Sequence, residues 1–409
     1  MRFTLASLAA LATSVAAQSS GNLTASLLSS ISDRDDVGVF KGLLSQLPTL
    51  IDDVLSDAKN GSKNLTGNGQ VTLLIPNDVA IGSFLAEYPD TEDLQAALMP
   101  VMSYHVMAAP LKGTNFTQPN GLTIPTFLDG EDESGTSYNL RAPAPAIQEQ
   151  YGQGATGQVL FAKLEGLDSV KLRTRQGDGS GQSSQSGLRS GMGQVAMMDI
   201  VDGEWDGGVY QIVNAVLEPP APCSNTIRSL KDSLSALDTA LNKTDLWATL
   251  NTTPNVTCLA PNTDAFQSAG NPQDDLPVDD LTQALLDHTL HSPTYTNYLV
   301  DGMKIATASN KTVRVTLNDT GIWFNDAKVV EENILTNNGL VHVLDRVMTF
   351  TDDDSDDGSD DGSDDSGSGD SSEDDDSDDS DDDDENVAGV LKLNGVLVGA
   401  AALVAFALL

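Results

Sequence analysis

The chain has four histidines, His105, His288, His291 and His342. Imidazole is the side chain best placed to move a proton near neutral pH. Two of them fall where apolar residues recur at helical spacing. Leu94, Ala97, Leu98, Val101 and Met102 lead to His105, and Leu281, Ala284 and Leu285 lead to His288. A histidine on such a stripe faces a core, where a neutral ring needs both a donor and an acceptor. The partner expected for His288 is Asp345, on a strand near the end of the second half; Asn214 holds the matching place for His105. These residues read as ties between a helix and a strand rather than as acid-base catalysts. His288 and His291 also form H-x-x-H, but no cysteine or third histidine lies near them in sequence. No metal and no cofactor is expected.

Other chemical motifs are weaker. Gly152-Gln-Gly-Ala-Thr-Gly157 is formally G-x-G-x-x-G, and Gly191-Met-Gly-Gln-Val-Ala196 is G-x-G-x-x-A. A dinucleotide site needs a strand before such glycines and a helix after them. Here a Gln-rich stretch precedes the first, and strand-like Val159-Leu-Phe-Ala follows it, so both read as loop glycines. The sequence has no G-x-S-x-G elbow, no Walker-type Gly-Lys-Ser/Thr and no H-E-x-x-H. A hydrolase using paired Asp or Glu is the surviving enzymatic alternative, because carboxylates are abundant and their spatial pairing is invisible in sequence.

The elements that must position the histidines occur twice. Val71-Thr-Leu-Leu-Ile-Pro-Asn-Asp-Val-Ala80 matches Val256-Thr-Cys-Leu-Ala-Pro-Asn-Thr-Asp-Ala265. Each is a short apolar strand stopped by Pro-Asn, with a helical stretch after it. Each unit closes on a Val- and Leu-rich strand, at 208–217 and 339–348. The offset between copies is 185 residues at Pro76/Pro261, 183 at His105/His288 and 131 at Gly208/Gly339. The first unit therefore carries about 50 extra residues. They fall in two polar stretches, 129–157 and 173–193, rich in Gly, Ser and Gln, and are expected to be mobile surface loops.

Units built as strand, Pro-Asn, helix, histidine and terminal strand resemble fasciclin-type domains. The resemblance rests on the run Leu259-Ala-Pro-Asn-Thr-Asp-Ala-Phe266, the Tyr104-His105 pair and Asn338-Gly-Leu-Val-His-Val-Leu-Asp345. It covers both units, 22–218 and 222–350. Two departures are Asp287, where the family has an aromatic before the histidine, and Asn214, where the second unit has Asp345. The resemblance implies an α+β fold of two tandem fasciclin-like domains, with short twisted sheets packed against helices. It implies adhesion as the function and no enzymatic activity. It also implicates Tyr104 and the exposed neighbours of His105 in receptor contact. The linker Glu218-Pro-Pro-Ala-Pro222 is short and proline-stiffened, which predicts a limited hinge.

Charge narrows the partners. The formal net charge is −39, of which residues 352–385 supply −21 through 19 Asp and 2 Glu with no Lys or Arg. Nucleic acid is excluded as a partner, because phosphate neutralisation needs clustered cations. The same stretch is Asp/Ser/Gly of low complexity. It cannot bury enough surface to offset ordering entropy, so a disordered acidic stalk is expected over 351–386. It lacks the Asp-x-Asp-x-Asp-Gly loop of a calcium site.

The ends of the chain carry addresses. Residues 1–17 read as a signal peptide: Arg2, an apolar run at 5–12, and Val15-Ala16-Ala17 before Gln18. Residues 396–409 form a 14-residue apolar tail, short of the about 20 residues a spanning helix needs. With Asn386 as attachment site and 387–409 as propeptide, the pattern is that of a GPI-anchor signal. A retained membrane helix over 387–409 would have to bury Lys392 and Asn394. In an exported chain, the cysteine pair Cys223 and Cys258 is expected to form a disulfide. Nine sequons, at Asn22, Asn60, Asn64, Asn115, Asn242, Asn251, Asn255, Asn310 and Asn318, predict a glycan-covered surface.

The whole resembles a fungal cell-surface fasciclin-like protein. The expected role is adhesion or cell-wall contact, with protein or glycan at the cell surface as partner and the membrane reached through lipid. The alternatives are a structural wall glycoprotein acting through its glycans, and placement on a vacuolar membrane facing the lumen.

Overall fold

The computed structural model describes residues 23–59, 69–88, 91–131, 135, 137–142, 144–152, 154–163 and 185–350. The expected signal peptide, Asn22, Asn60, Asn64, the acidic stretch, Asn386 and the apolar tail lie outside the described residues.

Two halves follow one plan. The first runs α1 (Leu23–Ser30), α2 (Gly38–Gln46), α3 (Leu50–Lys59), β1 (Val71–Pro76), α4 (Asp78–Glu87), α5 (Thr91–Tyr104), β2 (Val106–Met107), β3 (Leu122–Pro125), α6 (Pro145–Tyr151), β4 (Val159–Lys163), β5 (Gln185–Arg189), β6 (Val195–Trp205) and β7 (Gly208–Val213). The second runs α7 (Cys223–Ser229), α8 (Lys231–Lys243), α9 (Trp247–Thr252), β8 (Val256–Pro261), α10 (Thr263–Ser268), α11 (Pro272–Asp275), α12 (Val278–Asp287), β9 (Thr289–Leu290), β10 (Lys304–Ala306), β11 (Thr312–Asn318), β12 (Gly321–Phe324), β13 (Ala327–Thr336) and β14 (Gly339–Leu344). The first sheet is ordered β2-β1-β7-β6-β5-β4-β3 and the second β9-β8-β14-β13-β12-β11-β10. Strand for strand the two orders coincide. The fold is α+β, and it is built twice.

The central strands explain the apolar runs. β1 pairs parallel with β7, and β8 with β14, while the remaining named pairs are antiparallel. A strand buried on both faces reads as a continuous apolar run. Its side chains still alternate. Val71, Leu73 and Ile75 enter the cluster formed with α1 to α5, and Leu74 faces the opposite cluster. In the second half Val256, Cys258 and Ala260 face the helices, and Leu259 faces the outer strands. The Pro-Asn stop works as a helix cap in both copies. Ala80 N–H donates to Asn77 Oδ1 at 2.9 Å, and Ala265 N–H to Asn262 Oδ1 at 2.7 Å.

Three expectations are corrected here. The polar extra residues of the first half, where described, are ordered structure rather than mobile loops: α6 and β5 are built from them, and Ile147, Tyr151 and Leu188 are buried. The linker is packed rather than hinged. Gly191 N–H donates to Glu218 O at 2.8 Å, and a Cβ at Gly191 would meet Pro219 O at 2.4 Å, so only glycine fits against it. Cys223 and Cys258 are free thiols rather than a disulfide. Both are buried in one cluster between helices and sheet, where burial pushes Cys258 up to about 12 and Cys223 well above the usual thiol range.

Candidate functional site: the histidine ties and the seam between the halves

Each histidine tie holds backbone. His105 and His288 follow α5 and α12, and both are buried. Leu217 N–H donates to His105 Nε2 at 2.8 Å, while His105 Nδ1 bonds Leu74 O at 2.9 Å. Met348 N–H donates to His288 Nε2 at 2.9 Å, while His288 Nδ1 bonds Ala284 O at 2.8 Å. Both rings are therefore neutral tautomers with the proton on Nδ1. Burial drives His105 down to about 4 and His288 below the ordinary imidazole value.

The partners differ from those expected. Asn214 and Asp345 do not reach the rings; the bonded amides lie three residues further along the chain. Asn214 is exposed and accepts from Met197 N–H at 2.8 Å. Asp345 accepts from Lys328 N–H at 2.9 Å. Asn214 and Asp345 stand just past the ends of β7 and β14 and bond the neighbouring strands β6 and β13, while the chain beyond them presents the N–H that meets each ring. The Tyr104 expectation is also corrected. Tyr104 is 0% exposed and donates from its hydroxyl to Val159 O at 2.9 Å, so it cannot meet a receptor. Of its neighbours, Met102, His105, Val106 and Met107 are buried as well. Asp287, at the matching place, makes an equivalent tie through Lys311 Nζ at 2.8 Å and Ser309 Oγ at 2.5 Å.

His291 is exposed, and among the described residues no group of three or more His, Cys, Asp or Glu is gathered to hold a metal. Among the described residues Glu218, itself exposed, is a carboxyl raised above its ordinary range by partial desolvation and then by Glu87, and it lines neither of the two cavities described below.

The second constellation lies where the halves meet, and sequence reasoning missed it. Arg141, 8% exposed, donates from Nη1 to Tyr295 Oη at 2.7 Å, from Nε to Gln158 Oε1 at 3.0 Å and from Nη2 to Gly157 O at 2.9 Å. Gln158 in turn donates to Tyr138 O at 3.1 Å and Thr336 O at 3.2 Å. Leu140 N–H bonds Asn337 O at 2.7 Å, and Asn337 Nδ2 returns to Ser137 O at 2.9 Å. Lys163 pairs with Glu332, and Arg189 with Glu331 at 3.5 Å. Burial alone would raise the Glu332 carboxyl; its bond to Lys163 outweighs that and holds it below the usual range. One apolar cluster crosses the seam, joining Tyr104, Leu160 and Val213 to Tyr295, Leu335 and Leu340. The signal was present in sequence only as Arg141 within the polar stretch 129–157 and Gln158 just past its end.

Two cavities flank these features. One, of only about 30 Å3, lies among α2, α4 and α5 and is lined by apolar side chains and His105. The other, about 510 Å3, opens on the seam and is lined by Asn115, Gln118, Gln150, Tyr151, Asn297 and Tyr298 among others. Neither is lined by Asp or Glu.

Three of the described sequons are exposed with the amide nitrogen free of protein bonds: Asn115, Asn310 and Asn318. Asn242 is exposed but donates from Nδ2 to Asp238 O at 2.8 Å. Asn251 and Asn255 are half-buried, against the expectation that all face solvent. Asn251 donates to Ser224 Oγ at 2.9 Å, and Asn255 accepts from Ala142 N–H at 2.9 Å across the seam.

Comparison with known proteins places this geometry. Residues 232–350 match the model of the Fasciclin domain family. The chain is 25% identical over 153 residues to a fasciclin-like arabinogalactan protein of Arthroderma benhamiae, covering 36% of this chain and 35% of that one. It is 25% identical over 188 residues to the fasciclin-like arabinogalactan protein CTB11 of Cercospora beticola, covering 46% and 49%. The match thus spans about a third and about half of those relatives. Among solved structures, a FAS1 domain pair from the insect cell adhesion molecule fasciclin I aligns at 16% identity and a TM-score of 0.31, over 76% of this chain and 98% of that one. The family match falls within the second half, and the first half repeats the strand order of the second, so the fold is two tandem fasciclin-like domains.

Proposed function

We propose that the protein is a non-catalytic, glycosylated component of the cell exterior, held by a C-terminal GPI anchor and making adhesive contact with other cells or with cell wall. The observation that carries this reading is the spending of its buried chemistry. His105, His288 and His342 each have both ring nitrogens bonded within the fold, and the cysteines are buried. What remains for function is surface. The export-type start, the Asp/Ser stretch and the apolar tail support a body raised on a stalk, and display at high density lets weak contacts add by avidity. No helix among the described residues is long and apolar enough to cross a membrane.

A second reading, contact through glycans, is favoured by the free exposed amides of Asn115, Asn310 and Asn318. One experiment tests both. Intact cells are treated with phosphatidylinositol-specific phospholipase C, and the released protein is bound to cells before and after N-glycan removal. Release with binding that survives deglycosylation supports protein-mediated adhesion. Binding lost on deglycosylation supports the glycan reading. Protein that stays on the cell and retains residues 396–409 contradicts the anchor.

A further inference from the structure

The geometry points to the seam cleft as a binding site for a neutral oligosaccharide. This deepens the surface-contact reading and rests on it for the source of the sugar. The cleft holds about 510 Å3, inside the roughly 300–1,000 Å3 typical of ligand pockets. Its polar lining consists of amides and phenols from both halves: Asn115, Gln118, Gln150 and Tyr151 from the first, Asn297 and Tyr298 from the second. Amides present a donor and an acceptor side by side, as neighbouring sugar hydroxyls do, and a phenol offers an apolar face ending in a polar tip.

No charged side chain lines the cleft, in a chain whose formal charge is −39. An anionic ligand would find no counter-charge there, and a cation no carboxylate. The walls are also fixed before any ligand arrives. Tyr298 Oη donates to Gln150 Oε1 at 3.1 Å, and Thr123 Oγ1 to Asn297 Oδ1 at 2.6 Å. Gln150 Nε2 is left without a protein acceptor. Tyr151, 3% exposed, forms part of the wall, and its hydroxyl is buried with no partner.

Sugar of this chemistry has two sources. Asn115 stands on the rim, exposed, in the sequon Asn115-Phe-Thr117, with its Oδ1 accepting from Lys112 N–H at 2.9 Å and its Nδ2 free. Its own glycan can fold into the cleft, or a wall or surface glycan can enter it.

The test titrates the full secreted chain with cellotetraose, laminaritetraose, chitotetraose and mannotetraose, and with trigalacturonate as the charged control. The T117A variant is titrated alongside; it loses the sequon and keeps Asn115. Saturable binding of a neutral tetrasaccharide by both forms, weakened at least tenfold by Y298A or Q150A with unchanged thermal unfolding, supports an external ligand. Binding by T117A alone supports the same site, filled by the chain's own glycan. Absence of binding by both forms up to about 10 mM, equal binding of trigalacturonate, or binding untouched by Y298A and Q150A overturns the proposal. The titration is done in solution, so its failure leaves anchoring and adhesion standing, and failure of adhesion leaves the titration intact.

Discussion

His342 and Gln211 hold the same place in the two halves and do the same work. Each is the fourth residue of the last strand of its sheet, β14 or β7. Each accepts the N–H of a residue at a break in the neighbouring long strand: Asn333 N–H to His342 Nδ1 at 3.2 Å, and Asp202 N–H to Gln211 Oε1 at 3.0 Å. Each donates to the segment after the short second strand: His342 Nε2 to Thr294 O at 2.8 Å, and Gln211 Nε2 to Leu111 O at 3.3 Å. Asn333 and Asp202 both take left-handed φ, at 53° and 48°, where the register of β13 and β6 shifts. An imidazole and an amide can both serve here because each supplies the shared acceptor and donor; Gln211 adds two further bonds, accepting Val201 N–H at 2.8 Å and donating to Asp202 Oδ1 at 2.7 Å.

That equivalence makes a graded prediction. His342→Gln should cost under about 1 kcal/mol, and His342→Leu about 1–3 kcal/mol, because the leucine leaves Asn333 N–H and Thr294 O buried and unpaired. Urea unfolding of the two variants checks the order. Equal losses would show that the ring packs rather than bonds.

Stability should fall as the medium turns acid. Burial lowers His105 and His342 to about 4 and also lowers His288, so the folded chain resists protonation that the unfolded chain accepts below about 6.5. Between those values the unfolded state binds more protons, and each such imidazole removes up to about 1.4 kcal/mol per pH unit. Stability is whole above pH ~6.5 and is lost progressively toward pH ~4. Urea midpoints measured from pH 7.5 to 4 check this, and the slope should shrink in His342→Gln. A flat profile would contradict neutral buried rings.

Glycan occupancy should follow the free amides. Peptide mapping of secreted protein should find Asn115, Asn310 and Asn318 occupied and Asn251 bare, since Asn251 Nδ2 is committed to Ser224 Oγ. Full occupancy at Asn251 would mean that the start of α7 opens in the mature protein.

Arg141 should matter more than its place in a polar stretch suggests. Arg141→Leu removes the donor to Tyr295 Oη and to Gly157 O, and one of the two donors to Gln158 Oε1, which keeps Val159 N–H at 2.9 Å. The loss should be on the order of 2–3 kcal/mol and should loosen the seam, read as faster amide exchange at Asn337 and Leu140. Exchange unchanged at those amides would contradict its role.

The duplicated plan was legible because it is written in apolar period and in Pro-Asn stops. Even the threonines repeat: Thr72 and Thr257 both clasp the strap beyond the short strand, with Leu111 N–H donating to Thr72 Oγ1 at 2.6 Å and Thr294 N–H to Thr257 Oγ1 at 2.9 Å. The histidine partners were misread because the true donors are backbone amides of Leu217 and Met348, which no residue type announces. The seam was hidden for a related reason. Backbone buried between two domains must be hydrogen-bonded, so the residues that satisfy it, Arg141, Gln158 and Asn337, are polar and look like solvent-facing loop. Gly191 and Gly157 look flexible and are instead close backbone contacts, with Gly157 against Thr126 O.

The central claim is that two fasciclin-like halves are fused into one body by that seam. Scanning calorimetry of the secreted chain tests it most directly. A single transition, with calorimetric and van't Hoff enthalpies in agreement, is the predicted result. Two separate transitions in the unmodified protein would contradict it.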